Sequence, residues 1–307
     1  MTAYVLRRLL LTIPVLLAVM TLVFAIRPLV PGDPVEIMFF GQPPNAEVVA
    51  NIRQQLGLDK SLPEQYVLYV SNVLRGDLGT SITTRQPVMQ EIASRYPATL
   101  KLAIGAFLVS AVVGLGSGIL AAVYKDSLVD TVAMIAATAG ISMPAFWFGL
   151  LAIYLFSVNL GWFSVIPDGS PKSLVLPAVT LGLIASSIVA RLVRSAMLEV
   201  LGQEYVQTAR AKGLTERRVV LHHALRNAAI PVVTIVGLQF GGLLTGAFII
   251  EAVFAWHGIG ELAVQAFAKR DFPMIQGITL VVATTYVLVN LVVDVIYAAL
   301  DPRITYS

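Results

Sequence analysis

Apolar residues dominate this chain in long runs, and the runs are separated by short polar connections. A membrane-crossing helix needs about 20 mainly apolar residues. Six stretches meet or approach that length, near 9–28, 102–123, 132–158, 174–191, 228–250 and 276–300. Pro144 interrupts the third, where a kink is expected. Between the first two lies a long segment of mixed polarity, 29–101, with turn signals at Pro31-Gly32-Asp33-Pro34 and Gly76-Asp77-Leu78-Gly79. Within it Ala46–Leu56 has helical spacing, and Leu56-Gly57-Leu58 reads as the end of that helix. Glycines four apart, at Gly114 and Gly118, Gly237 and Gly241, and Gly242 and Gly246, predict close helix packing.

Composition agrees with the bilayer as solvent. The 307 residues are 57% hydrophobic and 13% charged, against about 25% charged in soluble domains; mean hydropathy is +0.81. The N-terminal run Leu9–Ile26 follows Arg7 and Arg8 but is too long for a secretory signal, and Arg27-Pro28 stands where a cleavage site would be. It reads as an uncleaved first span. With no Cys and three His, thiolate chemistry is excluded and a dedicated metal site is not expected. The cations form no nucleic-acid footprint with interleaved aromatics.

Charge orients the spans. Residues 191–227 hold Arg191, Arg194, Arg210, Lys212, Arg217, Arg218 and Arg226 against Glu199, Glu204 and Glu216. The positive-inside rule places this segment in the cytoplasm. Six spans then put both termini inside, with 29–101, 159–173 and 251–275 outside. Trp256, beside His257 in the last of these, reads as an interfacial aromatic.

Residues 199–227 are too polar to span and too patterned for a linker. Helix formers run to Lys212, Gly213 suits the left-handed position after a helix end, and Leu214 can fold back on Ala209. Thr215 can cap a second helix, with Val220 and Ala224 on one face and Leu221 and Leu225 on another. The expectation is a cytoplasmic helix-turn-helix; a basic amphipathic helix on the membrane surface is the alternative. His222 and His223 are adjacent and face about 100° apart on a helix, which disfavours a shared ion. In the sixth span Asp294, flanked by Asn290 and Tyr297, is either a gate residue or a packing partner.

The segment Tyr205-Val-Gln-Thr-Ala-Arg-Ala-Lys-Gly213-Leu214 with His223-Ala-Leu-Arg-Asn-Ala-Ala-Ile-Pro231 resembles the coupling-loop motif of ABC importer permeases. More narrowly, the chain resembles the dipeptide, oligopeptide, glutathione and nickel permeases along essentially its whole length. Arg7-Arg8-Leu9, Gln55-Leu56-Gly57-Leu58-Asp59, Gly76-Asp77-Leu78-Gly79, Met197-Leu198-Glu199, Gly258-Ile259-Gly260, Val293-Asp294-Val295 and Asp301-Pro302-Arg303 fall in the family's order. Thr208-Ala209-Arg210 stands where the general motif has Glu-Ala-Ala, a change that peptide-type members share.

The resemblance implies an all-α membrane protein of the type I importer permease fold. It is one permease domain, 1–307, with an outer elaboration 29–101, a core 102–300 and a coupling loop 199–227. Tyr205, Thr208, Ala209, Arg210, Ala211, Lys212, Gly213, Leu214, His223, Arg226 and Asn227 would meet a cytoplasmic ATPase. The implied partners are a second permease subunit, two ATPase subunits and an extracytoplasmic binding protein in a bacterial inner membrane. The chain has no Gly-x-x-x-x-Gly-Lys-Ser/Thr loop, so it is read as a non-catalytic subunit with no cofactor of its own, ATP and Mg being held by the partners. Short peptides are the first expectation for cargo, then glutathione, then nickel. Segments such as Gln86-Pro-Val and Glu91-Ile-Ala-Ser-Arg95 look like glutathione permeases. A secondary transporter would need charged or broken-helix sites in matched halves, and an intramembrane enzyme would need paired catalytic groups within spans. Only Asp294 is a clear intramembrane carboxylate by this reading, and no internal repeat is visible.

Overall fold

The computed structural model describes residues 2–29, 46–55 and 59–300. Among them all regular structure is helical, apart from one isolated bridge between Thr80 and Pro87. Thr2–Leu29, Val88–Val123, Pro171–Leu201 and Phe272–Leu300 contain four segments long and apolar enough to cross a membrane. The fifth expected span lies in Leu225–Val253, whose described apolar stretch is Gln239–Val253. The second expected span, 102–123, is the latter part of a 36-residue helix that begins at Val88 and carries Pro97 inside it.

The third span departs from expectation. It is no kinked helix: Leu128–Ser142 and Ala145–Asn159 meet at 108° across Met143 and Pro144. Pro144 has no N–H to continue the first helix and sits extended, at φ −61° and ψ 131°, as the cap of the second. The 15 residues of Leu128–Ser142 rise only about 22 Å, short of the roughly 30 Å hydrocarbon core. The second piece ends as a wider π-type helix, Ile153–Asn159.

The chain divides into two compact units. In the unit formed by 98–256 and the residues from 288 onward, the core mixes alanines with larger apolar side chains. Leu102, Ala106, Ala152, Leu176, Ala178, Leu181, Ala185, Leu243, Ala247, Ile250 and Phe254 form one buried cluster. Trp256 packs on it and donates its indole N–H to Ala98 O at 2.9 Å. Gly114 and Gly118 mark close approach as expected. A Cβ on Gly114 would lie 2.6 Å from Val189 Cβ, and one on Gly118 would lie 2.6 Å from Ala190 O. A Cβ on Gly237 would lie 3.1 Å from Val293 Cγ1 and Cγ2. Within this chain the pair Gly242 and Gly246 is less tightly faced: the nearest atoms to added Cβ groups are 4.0 and 3.5 Å away.

The other unit, 2–97 with 257–287, contains the expected helix, Ala46–Gln55, and a second short helix, Leu62–Leu74. The turn at Gly76–Gly79 is present, with both glycines at positive φ and Gly79 N–H donating to Asp77 Oδ1 at 2.8 Å. Thr21 and Tyr66 hydroxyls bond at 2.7 Å, and Phe24 meets the rings of Tyr66 and Tyr69. Arg95 and His257 both reach Glu261 Oε2, at 3.2 and 2.9 Å. The turn at 31–34 and the helix end at 56–58 lie outside the described residues.

The glycine contacts give a paired test. Gly118→Ala forces a methyl against backbone, and overpacking of this kind costs about 1–3 kcal/mol. Gly116, on the same helix, has nothing within 4 Å of an added Cβ, so Gly116→Ala gains helix propensity. Thermal unfolding of the purified complex should show a lower midpoint for Gly118→Ala and an equal or higher one for Gly116→Ala.

Candidate functional site

The polar segment after the fourth span folds into two short arms. Glu204–Ala211 is a helix of 8 residues. Val206 and Ala209, three apart, lie on one face and are buried with Val219, backed by Val200, Leu201 and Leu214. Glu204, Tyr205, Gln207, Thr208, Arg210 and Ala211 are exposed. Ala209 therefore belongs to the chain's own core and does not point outward. Thr208 turns its hydroxyl back to Glu204 O at 3.0 Å.

The helix end closes as the sequence predicts. Gly213 has φ +77°. Its N–H donates to Arg210 O at 2.9 Å, and Leu214 N–H reaches back to Ala209 O at 3.4 Å. These two bonds are those of a Schellman motif, and the left-handed residue between them is the one that glycine adopts without a Cβ clash. An added Cβ there meets nothing within 4 Å, so the demand is conformational rather than steric. Lys212 is the exposed cap residue.

The second arm differs from expectation in two ways. Thr215 occupies the cap position, but its side chain makes no capping bond. The arm is also no separate helix: Glu216–Arg218 runs through a π-type stretch, Val219–Ala224, straight into Leu225–Val253. Val220 and Ala224 are buried together as predicted, with Val193, Met197, Ala228 and Val232, whereas Leu221 is 49% exposed.

Two polar links hold the arms in register. Arg210 grips Glu216 with two bonds, Nε to Oε1 at 2.8 Å and Nη2 to Oε2 at 3.3 Å. Asn227 Nδ2 donates to Tyr205 Oη at 2.8 Å and to His223 O at 2.9 Å. His222 and His223 stack edge to face at 5.4 Å, and Arg226 is exposed. The loop residues Tyr205 to Leu214 and His223 to Asn227 thus form one assembly. Asn290 Oδ1 is enclosed without a hydrogen-bond partner among the described residues. Asp294 and Tyr297 lie on the Phe272–Leu300 helix, but their side chains are outside those described.

A further ion pair stands beside the loop, at the end of the fourth span. Arg191 and Arg194 are not loop residues; they lie on the Pro171–Leu201 helix. Arg194 clasps Asp130 side-on, Nε to Oδ1 at 2.6 Å and Nη2 to Oδ2 at 2.7 Å. Asp126 N–H adds a third bond to Asp130 at 3.0 Å. Asp130 sits in the first turn of its helix, where the positive helix end favours an anion. An arginine near the end of an apolar helix needs a partner, and that need was the available signal.

The Arg194–Asp130 pair is part-buried, its carboxylate enclosed and its guanidinium partly open; removing one member of an enclosed pair strands the other, whereas removing both need not destabilise. Arg194→Met should therefore lower the thermal midpoint of the complex by several degrees, and Asp130→Leu with Arg194→Met should recover part of that loss. A double variant less stable than the sum of the single losses would contradict this account.

Residues 114–306 match the family model described as the inner membrane component of binding-protein-dependent transport systems, and residues 1–103 match the N-terminal membrane component of such systems. The chain is 48% identical over 307 residues to the glutathione transport system permease protein GsiC of Salmonella choleraesuis, covering 100% of both chains. It is 45% identical over 335 residues to the di/tripeptide transport system permease protein DppB of Pseudomonas aeruginosa, again covering 100% of both. Among solved structures, an inward-facing MetNI methionine ABC transporter chain matches with TM-score 0.60 and 22% identity, over 69% of this chain and 97% of that one. An amino acid ABC transporter chain matches with TM-score 0.53 and 18% identity, over 70% and 94%. These structural likenesses carry the fold: that of a type I importer permease.

Proposed function

The chain belongs to the family of binding-protein-dependent transport system inner membrane components, and from that premise we propose that it forms half of a translocation pathway for short peptides. It is a multi-pass permease subunit of an ATP-binding-cassette importer of the inner membrane. The assembly in this reading comprises a second permease subunit, two ATPase subunits that bind ATP and Mg, and a binding protein that delivers cargo from outside. The chain crosses six times with both termini in the cytoplasm, as the basic segment 191–227 favours. Glutathione and di- or tripeptides, the cargoes named for the two relatives, share a short peptide backbone with a free α-ammonium and a carboxylate, and cargo of that class fits the family best.

The observation that carries the mechanism is the two-sided helix Glu204–Ala211. Its inner face, Val206 and Ala209, is fused to the ends of the fourth and fifth spans through Val200, Leu201 and Val219. Its outer face is open. An ATPase groove that takes the outer face moves the inner face with it, and the helix ends on which that face rests must follow. Nucleotide binding then biases a switch between outward-open and inward-open states by its differential affinity for the two. Tyr205, Arg210 and Asn227 act as braces of the loop, and Gly213 as its hinge-free turn. Asp294 and Asn290 are kept as packing partners in the sixth span.

Gly213 separates this role from a general need for stability. Valine at left-handed φ is disfavoured by about 1–2 kcal/mol or more, whereas asparagine is tolerated there. Gly213→Val should still insert and pair with the second permease, but lose co-purifying ATPase or hydrolyse ATP without import. Gly213→Asn should keep both. In proteoliposomes the parent complex should import a tripeptide or glutathione only when binding protein and ATP are both present. Import by this chain alone, without ATP, would refute the importer reading.

A further inference from the structure

In the unit formed by 2–97 and 257–287, one buried carboxylate organises the turn around residues 79–87. Asp271 is 2% exposed. Its Oδ2 accepts the Ser81 hydroxyl and, at 3.1 Å, Thr83 N–H; its Oδ1 accepts Ile82 N–H at 3.2 Å and Met274 N–H at 3.3 Å. Ser81 Oγ in turn accepts Thr84 N–H at 3.0 Å. A single anion at the start of the Phe272–Leu300 helix, where the helix end favours negative charge, thus fixes both the turn and the helix entry.

Two exposed arginines leave this hub, both with left-handed backbone. Arg85 has φ 59°, and its N–H donates to Ser81 O at 3.1 Å. Arg270, next to Asp271, has φ 54°. It follows the Ile259–Ala268 helix, where its own N–H donates to Phe267 O at 3.2 Å and Asp271 N–H donates to Ala266 O at 2.9 Å. Glycine is the residue that suits such positions, and it fills them at Gly76, Gly79, Gly161, Gly169 and Gly213. Here arginine stands instead, against the local preference, and Lys269 beside it is exposed too. None of Arg85, Lys269 and Arg270 has an ion-pair partner among the described residues. Glu91, the acid that shares the turn, is engaged by the Thr84 hydroxyl.

We propose that Arg85, Lys269 and Arg270 are a cationic docking point for an acidic patch on the substrate-binding protein, a role that rests on the importer reading. Their backbones are already held by the Asp271 hub, so docking orders little further chain. Unpaired cations on a fixed frame steer an acidic partner and set its register, and the attraction weakens with salt.

The test uses the whole complex in nanodiscs and the purified, peptide-loaded binding protein of the same transport system. The quantity read is the binding-protein concentration that half-maximally stimulates ATP hydrolysis. Arg85→Gly with Arg270→Gly removes both charges while relieving the backbone, so the complex should be at least as thermostable as the parent. Its half-maximal concentration should nevertheless rise about fivefold or more, and Arg85→Glu with Arg270→Glu should raise it further. Added salt should weaken the parent and leave the glycine variant little changed. A parent-like concentration for the glycine variant overturns the proposal, as does failure of that variant to assemble. A shift seen only in discs of anionic phospholipid, and not in zwitterionic ones, assigns the arginines to lipid instead. If no binding protein stimulates the parent, the importer reading itself falls; if the parent responds and the variants match it, only the docking point does.

Discussion

The last two turns of the Pro171–Leu201 helix are packed from both sides at once, and the working geometry depends on that double burial. Val193 and Met197 face Val220, Ala224, Ala228 and Val232 at the start of the fifth long helix. Val200 and Leu201, one turn further on, face Val206, Ala209 and Val219 of the loop. The hydrophobic effect is non-directional, so apolar contacts alone would let such a helix end slide. Polar groups fix the register: Arg194 on Asp130 above, Arg210 on Glu216 and Asn227 on Tyr205 below.

What the sequence made legible is local. Gly213 followed by Leu214 encodes a helix stop because only a few φ values, and one residue type in particular, satisfy the bonds that end a helix. Gly114 and Gly118 encode an approach of helices because they remove the atoms that would prevent it. The same spacing at Gly242 and Gly246 meets no equally tight contact within this chain, since what faces a glycine is a matter of tertiary placement. The 108° break at Met143 and Pro144 was unreadable for a related reason: hydropathy is high on both sides, and proline announces an interruption without an angle. Asp130 and Arg194 are 64 residues apart, and nothing local joins them.

The loop therefore has two kinds of residue. Val206, Ala209 and Leu214 bind it to its own chain, while Gln207, Thr208 and Ala211 are left open. The motif that resembles a coupling loop mixes both kinds, so motif resemblance alone could not say which residues meet a partner. The continuous path from Glu216 into Leu225–Val253 matters in the same way. Helical backbone runs unbroken from Glu216 through Val219–Ala224 into the 29-residue helix Leu225–Val253.

The account stands on the open face of Glu204–Ala211 being the face that an ATPase subunit grips. The chain has no native cysteine, so one cysteine placed at Ala211 is the sole thiol it carries. In the assembled complex in membranes, a short bifunctional thiol reagent should join that cysteine to an ATPase subunit, with a yield that changes when nucleotide is bound. A cysteine at Val206, buried on the opposite face, should not crosslink. Modification of the Ala211 cysteine by an impermeant reagent added outside intact cells, with no crosslink to the ATPase, would contradict the account at its centre.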